Sequence, residues 1–304
     1  MKILVTGGAG FIGSHVVDAY LKEGHEVCVI DNLATGKKEN INPVARFYQL
    51  DLANDDLSQV FKQHQFDVVN HHASHLVVRN SVEDPVYDAK NNIIGLLNTL
   101  ENCKEYNVRK FIFSSSYSVY EETDNLPCTE TTPTFPVSPY GVSKLACEHY
   151  TRFYKEVHGI DYVIFRYSNV YGPRQNPFGE VGVISVFLGL MLKNEDVTIF
   201  GDGKATRDYT YISDVIKTNL LALSNLNNTI YNAGTSLETS INELYFKLKK
   251  LTNSKSGKKH IDFKKGDAKH NAVSYEKIKK ELGWQPKVSL EEGLQKTLDW
   301  FKNS

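Results

Sequence analysis

TGGAGFIG, residues 6–13, stands directly behind the apolar run Ile3-Leu4-Val5. Gly7, Gly10 and Gly13 recur every third residue, ahead of a helix predicted to open at Ser14. Glycines at a strand-to-helix turn let the chain bend tightly and let a ligand come close to the backbone. The unpaired N–H groups and dipole of the helix start then favour an anion. A second strand, Glu26–Ile30, runs into Asp31, eighteen residues after Gly13. Together these features form the pattern of a dinucleotide site, with the glycines at the pyrophosphate and the carboxylate at the ribose hydroxyls. A carboxylate there repels a 2′-phosphate, which favours NAD over NADP, while Lys37 and Lys38 nearby weigh the other way.

Beyond this turn, short apolar runs alternate with stretches of helical period. Strands are expected at Ile3–Val5, Glu26–Ile30, Asp67–Asn70, Lys110–Ser114 and Tyr162–Tyr167, with helices at Gly13–Glu23 and Asp88–Tyr106. The alternation reads as βαβ units, and the nearly unbroken apolar strands as a parallel sheet covered on both faces. From about Tyr171 the texture changes to long loops, "YGPRQNPFGEVG" and "FGDGKATRDY", of the kind that carry binding. The expected organisation is α/β: a Rossmann-type, doubly wound parallel sheet over residues 1–170, then a smaller α/β substrate-binding domain over 171–304, with some later segments returning to the first. Ser289 and Glu292 have capping-box spacing before a last amphipathic helix.

The 304 residues are 41% hydrophobic and 23% charged, a globular composition. A net charge of -1 and no basic stripe argue against a nucleic-acid partner. The longest apolar stretch, Val181–Leu192, holds two glycines and is too short to span a bilayer. A chain that opens straight into a strand without a leader reads as cytoplasmic. Cys28, Cys103, Cys128 and Cys147 are widely spaced and suggest packing thiols, with neither a zinc site nor a disulfide framework. In "HHASH", residues 71–75, His71 and His75 have i, i+4 spacing but follow a strand, so no metal site is expected, although His75 can face a substrate.

In "SPYGVSK", residues 138–144, Tyr140 and Lys144 share one face of a helix. An ammonium beside a phenol is expected to lower its pKa by about 1 to 3 and make it a usable base. Upstream, "KFIFSSS" places Ser116 at the carboxyl end of a strand, where parallel sheets bind ligands.

These stretches, with "DNLATG", Asp51-Leu52, "SVEDP", "RYSNVYGPRQ", "GDGKATRDY" and "LGWQPKVSLEEGL", make the chain resemble the extended short-chain dehydrogenase/reductases, above all the UDP-sugar 4-epimerases, along essentially its whole length. The resemblance implies a tightly held NAD that is reduced and reoxidised in each turnover. Tyr140 would be the base at the sugar 4-hydroxyl, Ser116 would hydrogen-bond that hydroxyl, and Lys144 would tune Tyr140 and hold the nicotinamide ribose. It places Gly7, Gly10, Phe11, Ile12, Gly13, Asp31, Asn32, Asp51, Leu52, His72 and Ala73 around NAD. Asn169 and Arg207 would face the diphosphate, Phe200 the base and Tyr209 the nucleotide ribose. An ion pair of Arg207 with Asp208 or Asp214 is the competing role. A homodimer built from the helices at Asp88–Tyr106 and Tyr140–His158 is also implied.

Related 4,6-dehydratases and decarboxylases carry carboxylates just after the serine, where this chain has Tyr117 and Ser118, which argues for epimerisation. Two departures stand out. "KKGDAKHN", residues 264–271, offers Lys264 or Lys265 where the family has an arginine, and Asn271 replaces the tyrosine of glucose/galactose-restricted epimerases, leaving room for an N-acetyl group. A non-catalytic NAD-binding regulator is the alternative from another class, opposed by the presence of Ser116, Tyr140 and Lys144.

Overall fold

The computed structural model describes residues 1–76, 78–177, 182–224, 228–262 and 269–303. Its centre is a seven-stranded, all-parallel sheet. The strands are β1 (Lys2–Thr6), β2 (Glu26–Ile30), β3 (Arg46–Tyr48), β4 (Val68–His71), β5 (Lys110–Ser116), β6 (Asp161–Tyr167) and β11 (Thr229–Ala233). Their order is β11-β6-β5-β4-β1-β2-β3, so the topology reverses between β1 and β4. Such a switch opens a crevice at the carboxyl ends of the strands.

Alternation along each strand feeds two cores. Ile3, Val5, Val27, Val29, Val68 and Val163 point into one, with Val16, Val17 and Tyr20 of α1 (Phe11–Lys22). Leu4, Cys28, Ile30, Val69, Phe111 and Ile164 point into the other, with Leu96, Leu100, Cys103, Cys147 and Tyr154. These last five lie on α5 (Gly95–Glu105) and α6 (Pro139–His158). Each buried aliphatic side chain contributes about 1.5–3 kcal/mol, and a strand apolar on both sides has no stable place except between two helical layers.

Helix α1 starts at Phe11, three residues before the expected Ser14, because Gly10 already serves as its N-cap. The helix expected from Asp88 starts earlier, as α4 (Pro85–Ala89), preceded by α3 (Val78–Glu83), and passes through a π turn at Lys90–Ile94 before α5. Helix α6 begins on Ser138, whose side chain accepts from the N–H of Gly141, with Pro139 at its first position, and stops at Gly159 with φ 77°. The chain returns to the sheet late: β11 pairs with β6, and α8 (Ile212–Ala222) packs on α1, where Tyr20 donates to the carbonyl of Asn219 at 3.2 Å.

Three two-stranded sheets follow: β7 (Asn169–Tyr171) with β10 (Tyr209–Tyr211), β8 (Val197–Phe200) with β13 (Lys258–Ile261), and β9 (Thr206–Arg207) with β12 (Thr239–Ser240). Helices α7 (Val183–Met191), α9 (Ile241–Thr252), α10 (Glu276–Leu282) and α11 (Leu290–Asn303) complete this part. Ser289 caps α11 through the N–H of Glu292 at 3.2 Å, as its spacing predicts. All four cysteines are free and buried. No helix among the described residues is long and apolar enough to cross a membrane.

Candidate active site

The glycine turn is packed backbone on backbone. A Cβ on Gly13 would stand 2.2 Å from the carbonyl oxygen of Gly7, and one on Gly7, whose φ is +69°, would stand 2.6 Å from the nitrogen of Ala73. The loop after β4 therefore runs against the turn. Gly10 has no side chain to cap α1, so the helix start lacks a side-chain acceptor for its first N–H groups.

Asp31 follows β2, and its two oxygens accept from the N–H groups of Ala9 at 3.0 Å and Leu33 at 2.8 Å. Burial pushes its carboxyl above the ordinary value, and those two bonds pull it back. Asn32 donates to Asp51 at 3.1 Å, and Leu52 lies buried beside Asp51. Lys37 turns to Glu39 at 3.8 Å on the surface. An uncapped helix start, glycines that admit no side chain and an acid at the next strand end fit a dinucleotide such as NAD.

His71 and His72 are held neutral by burial, at about 3 each. His71 meets the hydroxyl of Thr6 at 3.0 Å, whereas both ring nitrogens of His72 are shut from solvent, with the Asn219 side chain acting on the ring. His75 instead stands 3.5 Å from Asp88. His71 and His75 therefore diverge, and no metal-binding group of side chains occurs among the described residues.

Ser116 ends β5 and Tyr140 and Lys144 lie in the first turns of α6, so the three meet at the carboxyl edge of the sheet. Ser116 donates to the hydroxyl of Ser118 at 3.1 Å, and its own hydroxyl pulls down on the Tyr140 phenol. Lys144 Nζ lies 5.7 Å from the centre of the Tyr140 ring and donates to the carbonyl of Ser114 at 2.8 Å. Burial draws Lys144 down to about 8. The phenol itself is pushed up by burial, contrary to the expectation from spacing, because desolvation of the phenolate outweighs the hydrogen bond from Ser116. Sequence reasoning missed the groups that hold this pair. Ser81 accepts from the N–H of Tyr140 at 3.1 Å, and Glu148 binds Ser115 at 2.6 Å and Arg166 at 2.6 Å beneath it.

The adjoining pocket is lined by Val78, Tyr117, Ser118, Ser138, His270 and Asn271. Asn271, only 2% exposed, donates to Asn169 at 2.7 Å and leaves its Oδ1 unpartnered. Arg207, at the end of β9, donates to the carbonyl of Thr206 at 2.7 Å. It does not bridge to Asp208, whose carboxylate is taken by Thr235, Ser236 and Val273, nor to Asp214, which holds the N–H groups of Lys287 and Val288 and the ammonium of Lys217. Among the described residues its guanidinium has no carboxylate partner. Tyr209 is buried with an unpartnered hydroxyl, and Phe200 closes β8, partly buried. Lys264 and Lys265 lie outside the described residues.

Residues 3–234 match the NAD dependent epimerase/dehydratase family. A UDP-glucose 4-epimerase of Mycolicibacterium smegmatis is 35% identical over 100% of this chain and 99% of its own. The structure of a UDP-glucose 4-epimerase of Thermotoga maritima with UDP-glucose superposes at a TM-score of 0.97 with 45% identity, covering 100% of this chain and 99% of that one. A UDP-glucose 4-epimerase of Thermus thermophilus in complex with NAD gives 0.96 with 40% identity, covering 100% of both. Likeness of this extent, on a fold with an uncapped glycine turn and a Ser-Tyr-Lys edge, means that the chain belongs to the NAD dependent epimerase/dehydratase family.

Proposed function

We propose that the protein is an NAD-dependent 4-epimerase of a UDP-sugar. The observation that carries this reading is the meeting of Ser116, Tyr140 and Lys144 at the sheet edge, followed by Tyr117 and Ser118 where elimination or decarboxylation would need carboxylates. NAD, when bound, supplies the hydride acceptor and donor at sugar C4. Gly7, Gly10, Gly13, Phe11 and Ile12 would hold its pyrophosphate, Asp31 and Asn32 its ribose, and Asp51, Leu52, His72 and Ala73 would line the rest of its site. Tyr140 takes the proton of the 4-hydroxyl and Ser116 orients that hydroxyl. Lys144 holds the nicotinamide ribose and stabilises the phenolate. Asn169 and Arg207 anchor the diphosphate, Phe200 the base and Tyr209 the nucleotide ribose, so the 4-keto sugar can turn over without leaving.

Asn271 sets the sugar. Its compact amide stands where glucose/galactose-restricted enzymes have a tyrosine, which leaves space for an acetamido group at C2. In this reading residues 1–170 mainly bind NAD and 171–304 mainly the nucleotide sugar, with the α8–β11 segment returning to the sheet. Val142, Tyr150, Phe153 and Val157 are exposed along one side of α6, with Val86 and Ile94 exposed on the neighbouring helical run. This apolar face suits a second copy of the chain, as a homodimer. Four unpaired buried thiols suit a cytoplasmic enzyme.

The test is to incubate the purified protein with UDP-glucose, UDP-N-acetylglucosamine and UDP-glucuronate, adding no cofactor, and to follow products by proton NMR and mass spectrometry. An isomer of unchanged mass is expected, with UDP-N-acetylglucosamine accepted. Loss of water or carbon dioxide would refute epimerisation, and turnover of UDP-glucose alone would refute the role given to Asn271.

A further inference from the structure

Asp88 in α4 is fully buried. Its Oδ2 accepts from the Ser143 hydroxyl at 2.6 Å and its Oδ1 from Asn92 at 3.0 Å, with the His75 ring 3.5 Å away. Ser143 stands between Tyr140 and Lys144 on α6. Asn92 belongs to the π turn and takes the backbone N–H of His75 at 2.7 Å. One carboxylate thus ties together the loop after β4, the π turn and the part of α6 that carries the reacting pair.

The charges around Lys144 make this tie more than mechanical. From β4 and its loop come His71 and His72, both neutral. From α6 come Tyr140, Cys147, whose thiol burial pushes up to about 12, and Glu148, committed to Arg166 at 2.6 Å. Facing Asp88 itself are His75 and the ring of Tyr87, which packs on His75 at 5.1 Å. Cys147, Asp88 and Glu148 together oppose the burial that draws Lys144 down, and Asp88 also acts to raise the Tyr140 phenol.

We infer that Asp88 is a positioning residue for the reaction: through Ser143 it holds the turn of α6 bearing Tyr140 and Lys144, and its carboxylate acts electrostatically on that pair. This rests on the reading of Tyr140 and Lys144 as the catalytic pair.

The test compares the wild type with Asp88→Asn over a range of pH, using the better of UDP-glucose and UDP-N-acetylglucosamine. The alkaline limb of the kcat profile is expected to move down by about one pH unit, with KM held within about twofold. NMR titration of carbon-labelled lysine should show the same displacement for the signal that Lys144→Met deletes. A folded Asp88→Asn enzyme whose alkaline limb stays in place overturns the inference, even if kcat has dropped. Should Asp88→Asn fail to fold, Ser143→Ala removes only the tethering hydroxyl; it must lower kcat at unchanged KM, and an unchanged kcat overturns the tether. Turnover by Tyr140→Phe at the wild-type rate would instead refute the catalytic pair, a separate result.

Discussion

Glu148→Gln tests whether the catalytic edge is held by a buried ion pair. Glu148 is 2% and Arg166 4% exposed. The carboxylate accepts from Arg166 Nε at 2.9 Å and Nη2 at 2.6 Å and from Ser115 at 2.6 Å, joining α6 to both β5 and β6. Arg166 lies 4.8 Å over the ring of Tyr120, so it cannot swing out to water without giving up that stack. The guanidinium stays charged at any accessible pH, and removing its counter-charge leaves an uncompensated buried cation, a loss of about 3–5 kcal/mol. The amide still accepts one bond, so the expectation for Glu148→Gln is the low end, about 3 kcal/mol. Replacing both partners, Glu148→Leu with Arg166→Met, should recover most of it, because two desolvated charges then disappear together. The assay is urea unfolding of the cofactor-stripped proteins, with free energies taken from midpoint and slope. A Glu148→Gln protein within about 0.5 kcal/mol of wild type, the scatter of ordinary surface changes, would refute the reasoning. A double variant no more stable than the single one would do the same.

Three further outcomes are expected. Gly13→Ala forces a Cβ against the carbonyl of Gly7, 2.2 Å away, and must open the turn; it should cost about 1–3 kcal/mol and purify with less NAD, measured as nucleotide released on denaturation, and full NAD content would contradict the packing. Tyr140→Phe should keep its NAD while kcat falls by about 10²–10⁴, measured by the NMR assay with UDP-sugar. Lys144 has a folded pKa of about 8 against an ordinary 10.5, so its stability contribution is complete only above the ordinary value and is lost as pH falls through 8. Lys144→Met should accordingly make the stripped protein more stable at pH 7 by about 3 kcal/mol. The gain should be gone above pH 10.5, as chemical unfolding at the two pH values will show.

What could be seen in the sequence follows from where solvent is excluded. Strands β1, β2, β4, β5 and β6 are legible because both of their faces are buried, which writes an unbroken apolar run into the chain. β3 and β11 stand at the sheet's edges; with Arg46 exposed and Thr229 and Ile230 half-buried, their runs look like any loop-flanking segment. The Ser116, Tyr140 and Lys144 group is legible because its members sit at a strand end and one helical turn apart. Asp88 and Glu148 are not, since their partners Ser143 and Ser115 are 55 and 33 residues away along the chain. His71 and His75 show the converse: spacing suited to a helix face, on a chain that leaves a strand between them and sends one ring to Thr6 and the other to Asp88. Spacing tells which side chains share a face but carries no account of desolvation. At Tyr140 desolvation decides the sign, so the same Tyr-Lys pair that spacing reads as an activated base is, before ligand arrives, a phenol held above its ordinary pKa next to an ammonium drawn below its own. The negative charge at Asp88 acts on that balance, and it comes from a helix that the Tyr-Lys spacing does not include.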